Sequence, residues 1–187
     1  PVEVDRFNTS NNEENDDYYL VVSRLIPYKR VDLAVQACSE LNKRLVVVGD
    51  GSELVRLRKM ASNNIEFVDN ANDKQVAKLY SRCKALIFTA YEDFGIVPVE
   101  AMASGAPVIT YGYGGASESV IDSQTGVFFN TQSVESLKEA ISRFEQMKFT
   151  KITIRNHAKK FSKTRFIREI TDLVNDKYEQ KHFKQTK

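Results

Sequence analysis

Six short apolar runs punctuate the chain: YYLVVS (18–23), RLVVVG (44–49), IEFV (65–68), KALIFT (84–89), PVIT (107–110) and GVFF (126–129). They are continuous rather than alternating. That is the pattern of strands covered on both faces, since a strand with one wet face alternates polar and apolar residues. The intervening segments carry a helical period. Residues 30–42 set Val31, Ala34, Val35, Cys38 and Leu41 on one face, close to i, i+3, i+4, i+7. Residues 52–61, 73–82 and 133–146 behave alike, with Asp73 and Ser133 as expected N-caps. Strands alternating with helices predict an α/β domain: a Rossmann-like parallel sheet of about six strands with helices on both faces.

Two stretches depart from this rhythm. Residues 8–17 (NTSNNEENDD) are polar and acidic and predict a mobile loop. Residues 1–17 are therefore set apart from a domain spanning 18–187. From about residue 150 no strand pattern remains. Phe161, Phe166, Ile167, Ile170 and Val174 fall near helical spacing, with Ser162 or Thr164 as a cap, and predict C-terminal helices.

At 187 residues the chain has the length of one domain with a substantial core. A proline at position 1 is not a natural start, and the chain is expected to be a piece of something larger. No run reaches membrane-spanning length, and the first residues lack a signal-peptide layout. Cys38 and Cys83 lie in apolar helical patterns and are expected as buried free thiols, which suggests a reducing, cytoplasmic setting. The net charge of +2 conceals an asymmetry: residues 148–187 hold twelve Lys or Arg against four Asp or Glu, a surplus of +8. Such a tail is either the solvated face of terminal helices or a peripheral contact with an acidic membrane, at its inner face. A nucleic-acid partner is not expected, because no interleaved basic and aromatic module is present.

In a parallel open sheet, ligands bind beyond the carboxyl ends of the strands, so the loops after the apolar runs hold the candidate chemistry. After the first run comes Ser23-Arg24-Leu25-Ile26-Pro27-Tyr28-Lys29. Arg24 and Lys29 could converge on one anion, a guanidinium fork and an ammonium point charge. By themselves they read first as surface charges ahead of a helix. After the second run, Gly49-Asp50-Gly51-Ser52 permits close backbone approach, yet lacks the third glycine of the dinucleotide fingerprint and the ending of a P-loop. A simple turn explains it as well. The segment from Glu92 to Pro107 says more. It opens a helix near Gly95 to Val97, with Pro98 in the first turn and Gly105 at the stop. The leading amides of Phe94, Gly95, Ile96 and Val97 would form an anion site. Glu92 and Glu100 beside it would repel phosphate, unless they accept hydrogen bonds from sugar hydroxyls.

Taken in order, these elements resemble the C-terminal domain of glycosyltransferase family 4, retaining enzymes of the GT-B fold. The resemblance rests on Ser23-Arg24…Lys29, Gly49-Asp50-Gly51, Glu92-x7-Glu100 running into Ala101-Met102-Ala103-Ser104-Gly105-Ala106-Pro107, then Gly114-Gly115-Ala116-Ser117-Glu118 and Thr125-Gly126. It covers roughly residues 18–175, and PVEVDRF (1–7) is similar to the segment joining the two domains of such enzymes. It implies that Arg24 and Lys29 hold the donor diphosphate and that Glu100 meets the ribose hydroxyls. Glu92 would contact the transferred sugar, and the Phe94–Val97 amides both phosphate and sugar. The Gly49 and Gly51 turn would belong to the donor site, and Asn72 and Asp73 would lie by the nucleobase. No cofactor is implied, and with no Asp-x-Asp motif near these loops no catalytic metal is expected. The implied partners are a nucleotide diphosphate sugar, a glycan or lipid-linked acceptor, and an N-terminal acceptor domain not contained in this chain. The last helix would cross back to that domain. Mannose from GDP-mannose is the first expectation for the donor, with UDP-sugars next, and the setting is polysaccharide or lipopolysaccharide synthesis. Two other readings compete: a sugar-nucleotide epimerase of the same architecture, and a non-catalytic nucleotide-binding module.

Overall fold

The computed structural model describes residues 2–7 and 16–185; residues 8–15, which hold most of the expected loop, lie outside them. All six apolar runs are strands: β1 (Tyr19–Val22), β2 (Leu45–Val48), β3 (Ile65–Val68), β4 (Ala85–Phe88), β5 (Val108–Tyr111) and β6 (Gly126–Phe129). They form one parallel sheet in the order β3-β2-β1-β4-β5-β6. The connecting helices are α1 (Val31–Glu40), α2 (Leu54–Met60), α3 (Asp73–Arg82), α4 (Ile96–Ala103), α5 (Ala116–Ser119) and α6 (Val134–Glu145). Beyond them lie α7 (Lys151–Ala158) and the 23-residue α8 (Lys163–Gln185).

The unbroken apolar strands have their physical reason in two cores, one on each face. Leu20, Val46, Leu86 and Val108 point to the side closed by Tyr80 of α3, Met102 of α4 and Ile154 of α7. Their strand neighbours Val21, Val47, Ile87 and Ile109 point to Val35 of α1 and to Leu137 and Ile141 of α6. Successive residues alternate faces, so every position in β2 and β4 must be apolar, and all eight are buried.

The chain entry belongs to this body. Val2 donates to the Phe161 carbonyl at 2.9 Å and its own carbonyl accepts from Lys163 at 2.9 Å. The following 3-10 turn, Val4–Phe7, buries Val4 and Phe7 beside α3 and α4.

Four local expectations are met or corrected. The N-cap of α3 is Asn72 rather than Asp73. Its side chain accepts from the Gln75 amide at 3.0 Å, while the Gln75 side chain takes the Asn72 amide at 2.8 Å. This reciprocal box satisfies two donors at once, which leaves Asp73 as the first helical residue. Ser133 caps α6 through the Ser136 amide, and Ser162 takes the Arg165 amide at the start of α8. Cys38 and Cys83 are free and buried, though Cys83 stands just past the end of α3. Burial pushes both thiols up to about 12, so neither is a ready nucleophile.

Candidate donor site at the switch between β1 and β4

The strand order reverses direction between β1 and β4, and this is where an open parallel sheet leaves a crevice at its carboxyl edge. The two loops that border it are the Arg24–Lys29 loop after β1 and the Glu92 loop after β4.

The β1 loop is braced from behind. The Leu25 amide donates to the Asp50 carbonyl and its carbonyl accepts from Glu53, both at 2.8 Å. Gly49 and Gly51 stand directly against it: a Cβ on either would lie 1.8 Å from the Ser23 oxygen or 2.3 Å from the Leu25 oxygen. Only hydrogen fits there. The Gly49 amide meets the Val68 carbonyl at 3.4 Å and the Gly51 amide the Asp50 carboxylate at 2.7 Å. The glycine turn thus acts on the site by shaping the loop. From the front, the Thr89 hydroxyl donates to the Lys29 carbonyl at 2.8 Å, locking this loop to the end of β4.

Across that lock, the Lys29 ammonium forms an ion pair with the Glu92 carboxylate. The two side chains come from loops 63 residues apart and are only 14% and 24% exposed. The Glu92 loop is itself clamped by the Gly114-Gly115 pair. The Gly115 amide donates to the Glu92 carbonyl at 2.7 Å, and a Cβ on Gly115 would lie 2.2 Å from the Asp93 oxygen. Gly95 then turns the chain into α4 through the left-handed region, at φ 79°, which favours glycine. No side chain caps α4, and the Phe94, Gly95, Ile96 and Val97 amides have no backbone partner among the described residues. Phe94 rests edge-on against Phe161, ring centres 6.4 Å apart. Arg24 is exposed; its carbonyl accepts from the Ser23 hydroxyl at 2.9 Å and the Ile26 amide at 3.1 Å, and its side chain has no hydrogen bond or ion pair among the described residues.

Glu100 lies one turn into α4, half-buried. It accepts a hydrogen bond from the Tyr80 hydroxyl at 3.3 Å. Burial raises its pKa above the ordinary glutamate value, while the Tyr80 hydrogen bond and the positive charge of Arg6 oppose the rise. Arg6 pairs with Asp73 at the head of α3 and lies 5.9 Å over the Phe7 ring. The structure therefore brings Lys29 to Glu92, Tyr80 to Glu100 and Arg6 to Asp73. Arg6 and Tyr80 escaped the sequence reading. An aromatic in a helical stripe signals core as strongly as it signals a site, and Arg6 belongs to the entry segment, where only its resemblance to a linker was legible. Among the described residues no group of three or more His, Cys, Asp or Glu side chains is gathered as a metal ion would need.

With this geometry in place, the comparisons define the class. The chain matches the family model of the group 1 glycosyl transferases over residues 3–165. It belongs to that family, whose domains are of the GT-B type. It is 29% identical over 157 residues to an uncharacterized glycosyltransferase of Methanocaldococcus jannaschii, covering 81% of this chain and 45% of that protein. It is also 29% identical over 138 residues to the GDP-mannose-dependent alpha-(1-6)-phosphatidylinositol monomannoside mannosyltransferase of Mycolicibacterium smegmatis, covering 64% of this chain and 36% of that one. The chain thus spans less than half the length of these relatives. Among solved structures, a glycosyltransferase from Rickettsia africae superposes with a TM-score of 0.81 at 21% identity, over 94% of this chain and 55% of that one. A pneumococcal O-GlcNAc transferase solved with UDP and GlcNAc superposes at 0.73 and 20% identity, over 91% and 37%. At such identities the likeness is one of fold.

Proposed function

We propose that this chain is the nucleotide-sugar-binding half of a retaining hexosyltransferase. One observation carries the reading: a half-buried cation from the β1 loop and a carboxylate from the β4 loop meet at the topological switch point, beside a helix start whose leading amides have no partner among the described residues. In the free chain Lys29 and Glu92 neutralise each other. A donor diphosphate would draw Lys29, with Arg24 and the Phe94–Val97 amides, onto its oxygens and release Glu92 to accept from hydroxyls of the transferred sugar. Glu100 would take the ribose hydroxyls, and the base would lie toward Asn72 and Asp73. Gly49 and Gly51 contribute by holding the Arg24 loop in place.

Cleavage of the sugar–phosphate bond gathers negative charge on the leaving diphosphate. Cations and amides fixed there stabilise the transition state more than the ground state. Loss of one such donor is expected to reduce turnover about a hundredfold or more. The chain's own cations fill this role without a metal, so a chelator is expected to leave donor binding unchanged. The stereochemical course we favour is a front-face one, in which the leaving phosphate accepts the acceptor's proton. Two relatives are named as GDP-mannose-dependent mannosyltransferases, which makes GDP-mannose the first donor to try, ahead of UDP-sugars. The acceptor we propose is a glycan or lipid-linked glycan of polysaccharide or lipopolysaccharide synthesis. A second, acceptor-binding domain would occupy the remaining length of the relatives, and this chain alone is not expected to transfer sugar.

The test is calorimetric and thermal titration of the chain with GDP, UDP, ADP and their sugars. A ligand at a hundred times its Kd stabilises by about 2.7 kcal/mol, roughly 5–10 °C in Tm for a domain of this size. Absence of a shift with every nucleotide would sink the reading.

A further inference from the structure

The nucleoside end of the site holds a contact chain that reaches outside the loops described so far. Tyr80 is fully buried, and its ring is held edge-on by Phe7 with centres 5.9 Å apart. Burial raises its phenol well above the ordinary value, so at neutral pH the hydroxyl stays protonated and donates to Glu100 Oε2. That contact uses one lone pair of Oε2 and leaves the other, together with Oε1, for further partners. Arg6, the residue before Phe7 in the turn that packs against α4, the helix of Glu100, is held on Asp73 at the head of α3, and its charge favours the ionised form of the Glu100 carboxylate. Both ends of this arrangement depend on the entry turn, Val4–Phe7: Phe7 wedges the ring that aims Glu100, and Arg6 supplies the charge that favours its ionised form. Among the described residues the groups acting on the carboxylate are Tyr80 from α3 and Arg6 from the entry turn.

We propose that Tyr80 and Arg6 are positioning residues for Glu100, and that the entry turn is thereby one wall of the nucleoside end of the donor site. The inference rests on the reading above, in which Glu100 meets the ribose. Two vicinal hydroxyls are gripped by a carboxylate only if it is ionised, accepting at both oxygens, and held in one rotamer. Burial by itself would push this glutamate toward its neutral form. Tyr80 fixes one oxygen by a hydrogen bond, and Arg6 offsets the burial.

The experiment uses the chain with UDP and GDP and their 2′-deoxyribose counterparts, in wild type, Glu100→Gln, Tyr80→Phe and Arg6→Gln. Wild type is expected to prefer the ribose form, and Glu100→Gln to abolish that preference. Tyr80→Phe keeps the buried ring and is expected to lose about tenfold in ribose affinity, a worth typical of a hydrogen bond to a charged group. Arg6→Gln lies at an exposed position, keeps the fold, and is expected to lose a few-fold, less at high salt. In the free chain, the carboxyl carbon of Glu100 followed by NMR is expected to titrate at higher pH in both variants. A residue that only supports the fold would move neither the ribose preference nor that midpoint. The proposal is overturned if Glu100→Gln loses the ribose preference while Tyr80→Phe and Arg6→Gln keep both the preference and the wild-type midpoint. A wild type indifferent to the 2′-hydroxyl is a separate pattern, and it overturns the ribose reading and this inference together.

Discussion

Lys29 and Glu92 lead to opposite predictions for their own removal. Each offsets the other's charge in a site built for an anion, so Glu92→Ala frees the cation. Bare GDP or UDP is then expected to bind a few-fold tighter, while the added affinity given by the sugar falls. Lys29→Ala is expected to weaken both, because a half-buried carboxylate is left facing the diphosphate. Isothermal titration of the two variants with nucleotide and nucleotide sugar checks both signs; equal losses in both would remove Glu92 from the sugar. Gly115 tests the clamp on the same loop. An alanine there drives its Cβ onto the Asp93 oxygen and the Phe94 Cα, at 2.2 and 2.4 Å. Overpacking of this kind costs about 1–3 kcal/mol, and the Glu92 loop is expected to move. We expect a soluble, folded variant with at least tenfold weaker nucleotide-sugar binding by the same titration. Unchanged affinity would show that the loop tolerates displacement.

At the scale of single elements, α6 is tied to the sheet at the edge opposite the site. Glu145, its last residue, accepts from Tyr19 at 3.0 Å, from Lys43 at 3.0 Å and from Lys84 at 3.1 Å. Burial works against its ionisation, but the hydrogen bonds from Lys43, Lys84 and Tyr19 outweigh it and bring the pKa down from 4.5 to about 2. The folded value lies below the unfolded one, so this stabilisation is complete above about 4.5 and is lost as pH falls toward about 2. Glu145→Gln is expected to lower stability by about 1–2 kcal/mol near neutral pH. The gap from wild type should close between pH 5 and pH 2 in urea unfolding series. A gap that persists at pH 2 would assign the effect to packing. The cap of α3 offers a second measure: Asn72→Ala is expected to lower stability by about 1 kcal/mol.

These elements also show how far local pattern reaches. All six strands and the span of α3 were legible to within a residue or so, because strand and helix periods are properties of consecutive residues. The loops Arg24–Lys29 and Glu92–Glu100 were legible through their motif order. The reading missed the cap by one residue because Asn72 and Asp73 are both good capping types, and only the reciprocal contact with Gln75 separates them. It missed Tyr80 and Arg6 because their partners lie 20 and 67 residues away.

For the molecule as a whole, α8 is the open feature. It is fastened at its start by Ser162 and by Lys163 on Glu3, and from there Phe166, Ile167, Ile170, Leu173 and Val174 are all about half exposed. Apolar groups arrayed on one helix mark a surface made for contact, and we propose that they pack on the second domain. The double substitution Ile170→Glu with Leu173→Glu is therefore expected to leave the stability of this chain within about 0.5 kcal/mol by urea unfolding. A fall of more than 1 kcal/mol would mean the stripe packs on this domain. Part of the first half of the +8 tail is engaged with the rest of the chain, although donation to a carbonyl leaves the charge in place. Lys151 and Arg155 donate to the carbonyls of Ser81 and Ser104, and Lys163 and Arg165 are paired with Glu3 and Glu169. Among the described residues no helix is long and apolar enough to cross a membrane.

The order of residues by itself determined where strands and helices begin, that the sheet is parallel and covered on both faces, and which loops carry charge; each depends on neighbours a few positions apart. The strand order, with its reversal between β1 and β4, was decided only in three dimensions. From it follow the meeting of Lys29 with Glu92, the glycines pressed on foreign backbone, and the entry turn set against Glu100. Such pairings join segments tens of residues apart, and the direction and distance of a charge or hydrogen bond exist only once crossovers and packing have placed both ends.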